Sequence, residues 1–202
     1  MAESRPVARG RWSAMGATLH RAVVAPFVRS TNPPGFDALG VAVGLFVGLG
    51  IPFGMQMAGL GVLRLLLAFN SVLAFLFTWV ANPFTLVPLY YGYYRLGCFL
   101  LRESVPITRE AFLDLLRPLG EAGYFWQSLG RFGELGWDIL VRWSLGALLV
   151  APSAAILAYI AAYCLMSFRA RRRAQRMGLS YEQLIRAARE QTRRSLLFHG
   201  RP

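Results

Sequence analysis

The chain contains no lysine; all 22 of its basic residues are arginine. This reflects a GC-rich coding bias more than a mechanism, so where charge sits says more than which residue carries it. Acidic residues are scarce, ten in 202. None occurs between Ala38 and Leu101, where Arg64 and Arg95 are the only charges. From Trp143 to Phe168 there is no charge at all. The chain is 55% hydrophobic with a mean hydropathy of +0.43. A soluble domain has about 45–50% apolar residues even with glycine counted. Charge-free runs of this length argue against a soluble all-α protein with a very apolar core and read as membrane segments.

Cysteine and histidine are nearly absent too. Cys98 and Cys164 both fall inside apolar runs, and His20 and His199 lie near opposite ends. No metal-ligand spacing and no disulfide framework is visible. There is no Ser/His/Asp set, no glycine-rich phosphate loop and no carboxylate pair in the apolar region. The reading is therefore a protein that is not an enzyme, with no cofactor and no metal. The first 37 residues lack a clean apolar segment with a small-residue cleavage site, because "RAVVAPFV" is short and holds Pro26. No secretory signal is expected, and the membrane segments themselves act as the targeting signal.

What charge there is falls unevenly. Residues 1–37 carry five Arg against Glu3 and Asp37, net +3. The tail 169–202 carries ten Arg against Glu182 and Glu190, net +8. Residues 102–142 hold five Arg and six acids, net −1. The positive-inside rule then puts both termini in the cytoplasm and the middle stretch on the far side. The run "FRARRRAQR" reads as a flank on anionic lipid headgroups rather than as a nucleic-acid site.

The chain divides into five parts. Residues 1–37 form a basic arm with a short amphipathic helix and a "STNPPG" loop. Residues 38–101 are the apolar core. Residues 102–142 are an amphipathic interfacial segment, with Thr108 as N-cap before a stripe of Phe112, Leu115, Leu116 and Leu119. The glycine-rich aromatic stretch that follows suits a membrane surface. Residues 143–168 are a full transmembrane helix, roughly 39 Å long, with Pro152 inside it. Residues 169–202 are a basic tail holding a helix with a Ser180/Gln183 capping box and Leu179 and Leu184 placed as a staple. That helix is basic and amphipathic and is expected on the membrane surface.

The apolar core is broken where a plain anchor would be continuous. Shifted by 31 residues, "LFVGLGIPFGMQMAGLGVLRLL" falls over "LFTWVANPFTLVPLYYGYYRLG", and seven of 22 positions match. The aligned Pro-Phe pairs, Pro52-Phe53 and Pro83-Phe84, and the aligned Arg64 and Arg95 carry the case for a repeat, 38–69 and 71–101. Each half reads as helix, break, helix. The arms 39–50, 54–69, 71–81 and 88–101 would be roughly 18, 24, 16 and 21 Å long, with breaks at Pro52, Pro83 and Pro88. None spans the hydrocarbon comfortably. Short arms about a break suggest re-entrant or discontinuous helices, whose freed backbone must be enclosed by protein or line a wet cavity. Two complete re-entrant hairpins would send the +8 tail to the far side. The charge pattern instead requires the core to cross a net odd number of times, and charge is given precedence.

Gly40, Gly44 and Gly48 form a stripe for close helix packing. Gln56, Asn82 and Thr85 sit at the breaks, where capping freed backbone groups is their ordinary role. Tyr91 and Arg95 share a helical face. Arg64 and Arg95 either snorkel to the headgroups or enter one polar cavity. The sharper expectation is a polar pocket shared by Gln56, Arg64, Asn82, Thr85, Tyr91 and Arg95, in which helix N-termini favour an anion.

The block also resembles a known family. Gly44, Phe46 and Gly48, then Pro52 and Gln56, then Asn70, then Trp79, Asn82, Pro83 and Thr85, then Pro88, Tyr90, Tyr91, Tyr94 and Gly97 follow its G-x-F-x-G, P-x-x-x-Q, W-x-x-N-P-x-T and P-x-Y-Y pattern. The family is the bacterial membrane "domain of unknown function 2062", and the similarity runs from about residue 30 to 168. It implies a small bacterial inner-membrane protein and no particular activity. In some members the domain is joined to glycosyltransferase-like enzymes, which implies envelope or lipid-linked chemistry.

The expectation is thus an all-α integral membrane protein with two Pro-broken helix pairs in a repeat, one full transmembrane helix and amphipathic surface helices. It would handle a lipid or small anionic solute at the break pocket. The alternative is a non-catalytic scaffold whose tail recruits a cytoplasmic or envelope-synthesis partner. Its expected partners are the bilayer and anionic lipids, with a protein partner or a second copy as further candidates and no nucleic acid.

Overall fold

The computed structural model describes residues 30–104, 107–112, 114 and 136–199. The amphipathic arm before residue 30 and the aromatic stretch 115–135 lie outside them. Every regular element among the described residues is helical: α1 Pro34–Gly50, α2 Gln56–Leu66, α3 Ser71–Thr78, α4 Pro83–Leu101, α5 Trp137–Arg176 and α6 Tyr181–His199.

α5 is the spine, 40 residues and roughly 60 Å long. α1 packs antiparallel on its C-terminal half. Ala38 and Val41 meet Ala162 and Met166 at one end, and Gly50 meets Ala151 at the other. α4 packs antiparallel on the N-terminal half, where Leu86, Tyr90, Tyr93 and Tyr94 form one core with Trp143 and Ala147. α3 lies beside α1 and runs parallel to it.

Glycine sets these distances. A methyl group on Gly40, Gly44 or Gly48 would collide with the backbone carbonyls of Asn70, Ala74 and Thr78 in turn. The steps of four on both helices keep their backbones in contact over two turns. On the other side Gly97 faces the Arg142 backbone and Gly146 faces the Tyr93 backbone. Each helix of that pair gives one glycine to the other.

The start of α1 is tied to the start of α3. Pro34 opens α1 at a position whose N–H would have no partner, which suits proline. Asp37, one turn on, is 2% exposed. Its Oδ1 accepts from Asn70 Nδ2 at 2.7 Å and from Asn32 Nδ2 at 2.9 Å. Asn70 also caps α3, accepting from the Val72 and Leu73 N–H groups, and its own N–H donates to the Phe36 carbonyl at 3.2 Å. α2 therefore returns the chain to the level at which α1 began, with Leu60 and Leu63 packed against Val43 and Val47 on the way.

α5 is long and apolar enough to cross a membrane, with a mean hydropathy of 2.0 in its most apolar window. That face is not a soluble core, because most of it is uncovered. Leu148 is 72% exposed and Leu157 68%. Exposed apolar side chains this continuous mark a surface meant for another apolar phase. Charge closes both ends. Arg142 reaches Glu103 at 2.7 Å and donates to the Asp138 carbonyl at 2.9 Å. At the other end Arg169 follows Phe168. The 26 residues between Arg142 and Arg169 span roughly 39 Å of helix, more than the ~30 Å of hydrocarbon.

Several boundaries differ from the sequence reading. α1 begins at Pro34 rather than Leu39, because Pro33 and Pro34 start a helix instead of a loop. α4 begins at Pro83 rather than Pro88, so Pro88 is inside a helix and is no break. α5 continues through both charged flanks, since arginine and alanine are good helix formers. Thr108 does cap its turn, with the Ala111 N–H at 3.4 Å from its Oγ1. Ser180 and Gln183 exchange both capping-box bonds, at 3.0 and 3.2 Å.

Gly44→Val should cost about 1–3 kcal/mol or more, because it must overpack against backbone that cannot yield. Gly61→Ala, whose new methyl meets nothing within 4 Å, should be neutral or stabilise by up to about 1 kcal/mol. Thermal unfolding of the two variants in neutral detergent checks the contrast.

Candidate functional site

The two helix breaks meet. At the first, Ile51 is extended, φ −106 and ψ 134, as expected for a residue before proline. Gly54 turns the chain at φ 92, a conformation open to glycine. One last helical bond closes α1, and two groups freed by this break find side-chain partners. The Ile51 N–H returns to the Val47 carbonyl at 3.1 Å. The Gly48 carbonyl accepts from Gln56 Nε2 at 3.1 Å. The Phe53 N–H donates to Tyr90 Oη on α4 at 2.7 Å. Gln56 is buried by this role.

The second break is closed by a capping box. Asn82 Oδ1 accepts from the Phe84 and Thr85 N–H groups at 2.9 and 3.1 Å. Thr85 Oγ1 accepts from the Asn82 N–H at 2.9 Å and donates to the Val80 carbonyl at 2.7 Å. Asn82 Nδ2 reaches the Trp79 carbonyl at 3.3 Å. Pro83 takes the first helical position, where its missing N–H costs nothing. The N-P-x-T spacing is thus a helix start built into an apolar segment.

Between the breaks lies a pocket of about 480 Å3, lined by Phe53, Gly54, Gln56, Met57, Phe75, Thr78, Trp79, Ala81 and Asn82. The side chains facing it are mostly apolar. Its polar members are already engaged: Gln56 and Asn82 as above, and Thr78 with its Oγ1 on the Phe75 carbonyl at 2.6 Å. Hydrogen-bonding capacity is spent on backbone, and the walls left over suit a hydrocarbon chain better than a solute charge.

A model for the family described as "uncharacterized protein conserved in bacteria (DUF2062)" matches residues 18–175. The chain belongs to this family. The match takes in both breaks, the pocket and nearly all of α5. No protein of curated function and no solved structure matches.

Of the six residues expected to share a polar pocket, Gln56 and Asn82 line the one between the breaks, and Thr85 is bonded to Asn82. Arg64, Tyr91 and Arg95 do not line it. Arg64 lies over the Phe69 ring, 5.7 Å from its centroid, near the Asn70 end of the bundle. Arg95 is exposed on α4 toward the Arg142 end. The two arginines aligned by the repeat thus sit at opposite ends. Tyr91 sets its ring at a tilt against Phe112, 5.5 Å between centroids. Tyr90 was missed as a site residue. Its hydroxyl holds the first break, and its ring meets Trp143 edge-on at 5.2 Å. A tyrosine level with a proline break was the available signal.

Asn82→Ala should destabilise by about 1–2 kcal/mol, the usual cost of losing a helix N-cap. Asn82→Ser, which keeps a neutral accepting oxygen, should recover part of the loss. Thermal unfolding in detergent reads both.

Proposed function

We propose that this is a multi-pass membrane protein that holds the apolar chain of a lipid in the pocket between its two helix breaks. The observation that carries the reading is the pocket itself. Two breaks whose freed backbone groups are met by Gln56, Tyr90, Asn82 and Thr85 border an apolar space beside an apolar outer surface. An anionic solute is the weaker candidate, because the polar side chains at the breaks are occupied and Arg64 and Arg95 lie elsewhere.

The arrangement in the bilayer follows the packing directions. α1 enters and α2 returns to the level of Phe36, a re-entrant hairpin. α3 lies on α1 at the level of the C-terminal half of the α5 apolar run, with Leu73, Leu76 and Phe77 in one apolar cluster with Ala158, Ala162 and Met166. α4 lines the N-terminal half. α3 and α4 together make one discontinuous crossing, and α5 makes the second. Two crossings put residues 30–37 and α6 on the same side. This agrees with the charge asymmetry and removes the conflict that two complete hairpins would create. In a bacterium with the positive-inside bias, that side is the cytoplasm and the membrane is the inner one. The helix-break-helix order recurs, as a repeat would require, but the second unit extends where the first turns back.

Two measurements test this. With both native cysteines replaced by alanine, Glu103→Cys should react with an impermeant maleimide from the periplasm and Glu190→Cys should not. Equal labelling of both would overturn the topology. A phospholipid carrying a diazirine on its acyl chain should crosslink at Phe53, Met57, Phe75 or Trp79. Met57→Trp, which fills the pocket, should lower that yield several-fold at unchanged melting temperature. Crosslinks scattered evenly over the outer face of α5, unaffected by Met57→Trp, would sink the lipid reading and favour a scaffold.

A further inference from the structure

The basic end of α5 does not project alone. Gly178, at φ 65, turns the chain, and α6 folds back until Thr192 Oγ1 donates to Asn32 Oδ1 at 3.3 Å. α5, α6 and the segment 30–37 enclose a cleft of about 460 Å3. Arg169, Arg172, Arg173 and Arg176 line it from α5. Their spacing of three, four and seven puts all four on one helical face. From α6 it is lined by Leu184, Ala187, Ala188 and Gln191, and the two small alanines leave room opposite the guanidinium groups.

Charge in the cleft is mostly positive. Asp37 is its one lining acid among the described residues, and one carboxylate oxygen of Asp37 already takes the amide groups of Asn32 and Asn70. Four guanidinium groups against one carboxylate leave a net +3. The acids of α6 turn to their own helix, Glu182 to Arg186 at 3.7 Å and Glu190 to Arg194 at 3.0 Å. Depth also matters. Arg169 directly follows the charge-free run, Met166 and Pro34 line the same cleft, and the Arg172 guanidinium lies over the Phe168 ring at 4.3 Å. The cleft therefore opens where apolar surface gives way to charge, the level of lipid phosphates.

We propose that this cleft is a binding site for the phosphate of an anionic phospholipid, held by Arg172, Arg173 and Arg176 between α5 and α6. Guanidinium groups match phosphate oxygens in pairs and keep their charge at any physiological pH. A built cleft differs from diffuse attraction of a basic tail to a charged surface in one respect. Diffuse attraction depends on how many arginines there are, whereas the cleft depends on which.

The test uses the full chain in neutral detergent, titrated calorimetrically with short-chain phosphatidylglycerol, short-chain phosphatidylcholine and inorganic phosphate. Arg172→Gln/Arg173→Gln/Arg176→Gln should weaken phosphatidylglycerol binding at least about ten-fold. Arg186→Gln/Arg189→Gln/Arg193→Gln removes the same charge from α6 outside the cleft lining and should change it less than about two-fold, as expected for screened surface charge. Gln191→Trp, which fills the cleft and removes no charge, should also weaken binding and covers the case in which the triple variant fails to fold. Equal losses in the two triple variants would overturn the site in favour of diffuse attraction. Phosphatidylcholine binding as tightly as phosphatidylglycerol would overturn the anionic selectivity. Inorganic phosphate binding as tightly as the lipid would overturn the lipid as its source.

Discussion

Everything unusual in this fold follows from one constraint. Backbone N–H and C=O groups released by a helix break cannot face hydrocarbon, where each unpaired group costs several kcal/mol. The chain breaks its apolar helices at 51–55 and 79–82, so it must supply partners locally. Gln56, Asn82, Thr85 and Tyr90 are those partners. Asn70 does the same for the start of α3 while donating its amide to Asp37. The polar residues that look out of place in an apolar segment are what allows the segment to be broken.

The breaks in turn need close packing to be enclosed. Gly40, Gly44 and Gly48 let α3 lie on the α1 backbone, and Gly97 and Gly146 let α4 lie on α5. With lipid outside there is no hydrophobic gain from bringing helices together, so contact area and geometry must hold them. The aromatic seam of Tyr90, Tyr93 and Tyr94 with Trp143 and Phe112 adds that area on the α4 side. The uncovered side chains, Phe84 at 92% exposure among them, belong to the surface left for lipid.

Much of this was legible in residue order. Asn82 before Pro83, with Thr85 three residues after it, spells a helix start whatever the environment, so the break could be located. The glycine stripe announced a close contact without naming its partner, since spacing defines a face and not what lies against it. The shared polar pocket was the harder inference. Aligning Arg64 with Arg95 placed them at equivalent positions in a linear repeat. Equivalence in sequence does not fix direction in space, and α2 turns back along α1 while α4 runs on along α5. The basic cleft was hidden for a related reason. Its arginines were visible, but the return of α6 depends on a glycine turn and on Thr192 meeting Asn32 across 160 positions.

The difference between the two halves decides the topology that we propose. α2 has 11 residues and α4 has 19, roughly 17 against 29 Å. In that proposed topology the shorter arm suffices only to return from a mid-depth break to the side it came from. The longer one reaches the opposite charged end, where Glu103 meets Arg142. What extends the second arm is its partner. Tyr90, Tyr93, Tyr94 and Gly97 give α4 a continuous face for α5, whereas in α2 only Gln56 is buried. In the topology we propose, a pair of similar breaks with unequal arms makes one re-entrant hairpin and one crossing. That is the odd count which brings α5 back to the side where the basic tail must lie.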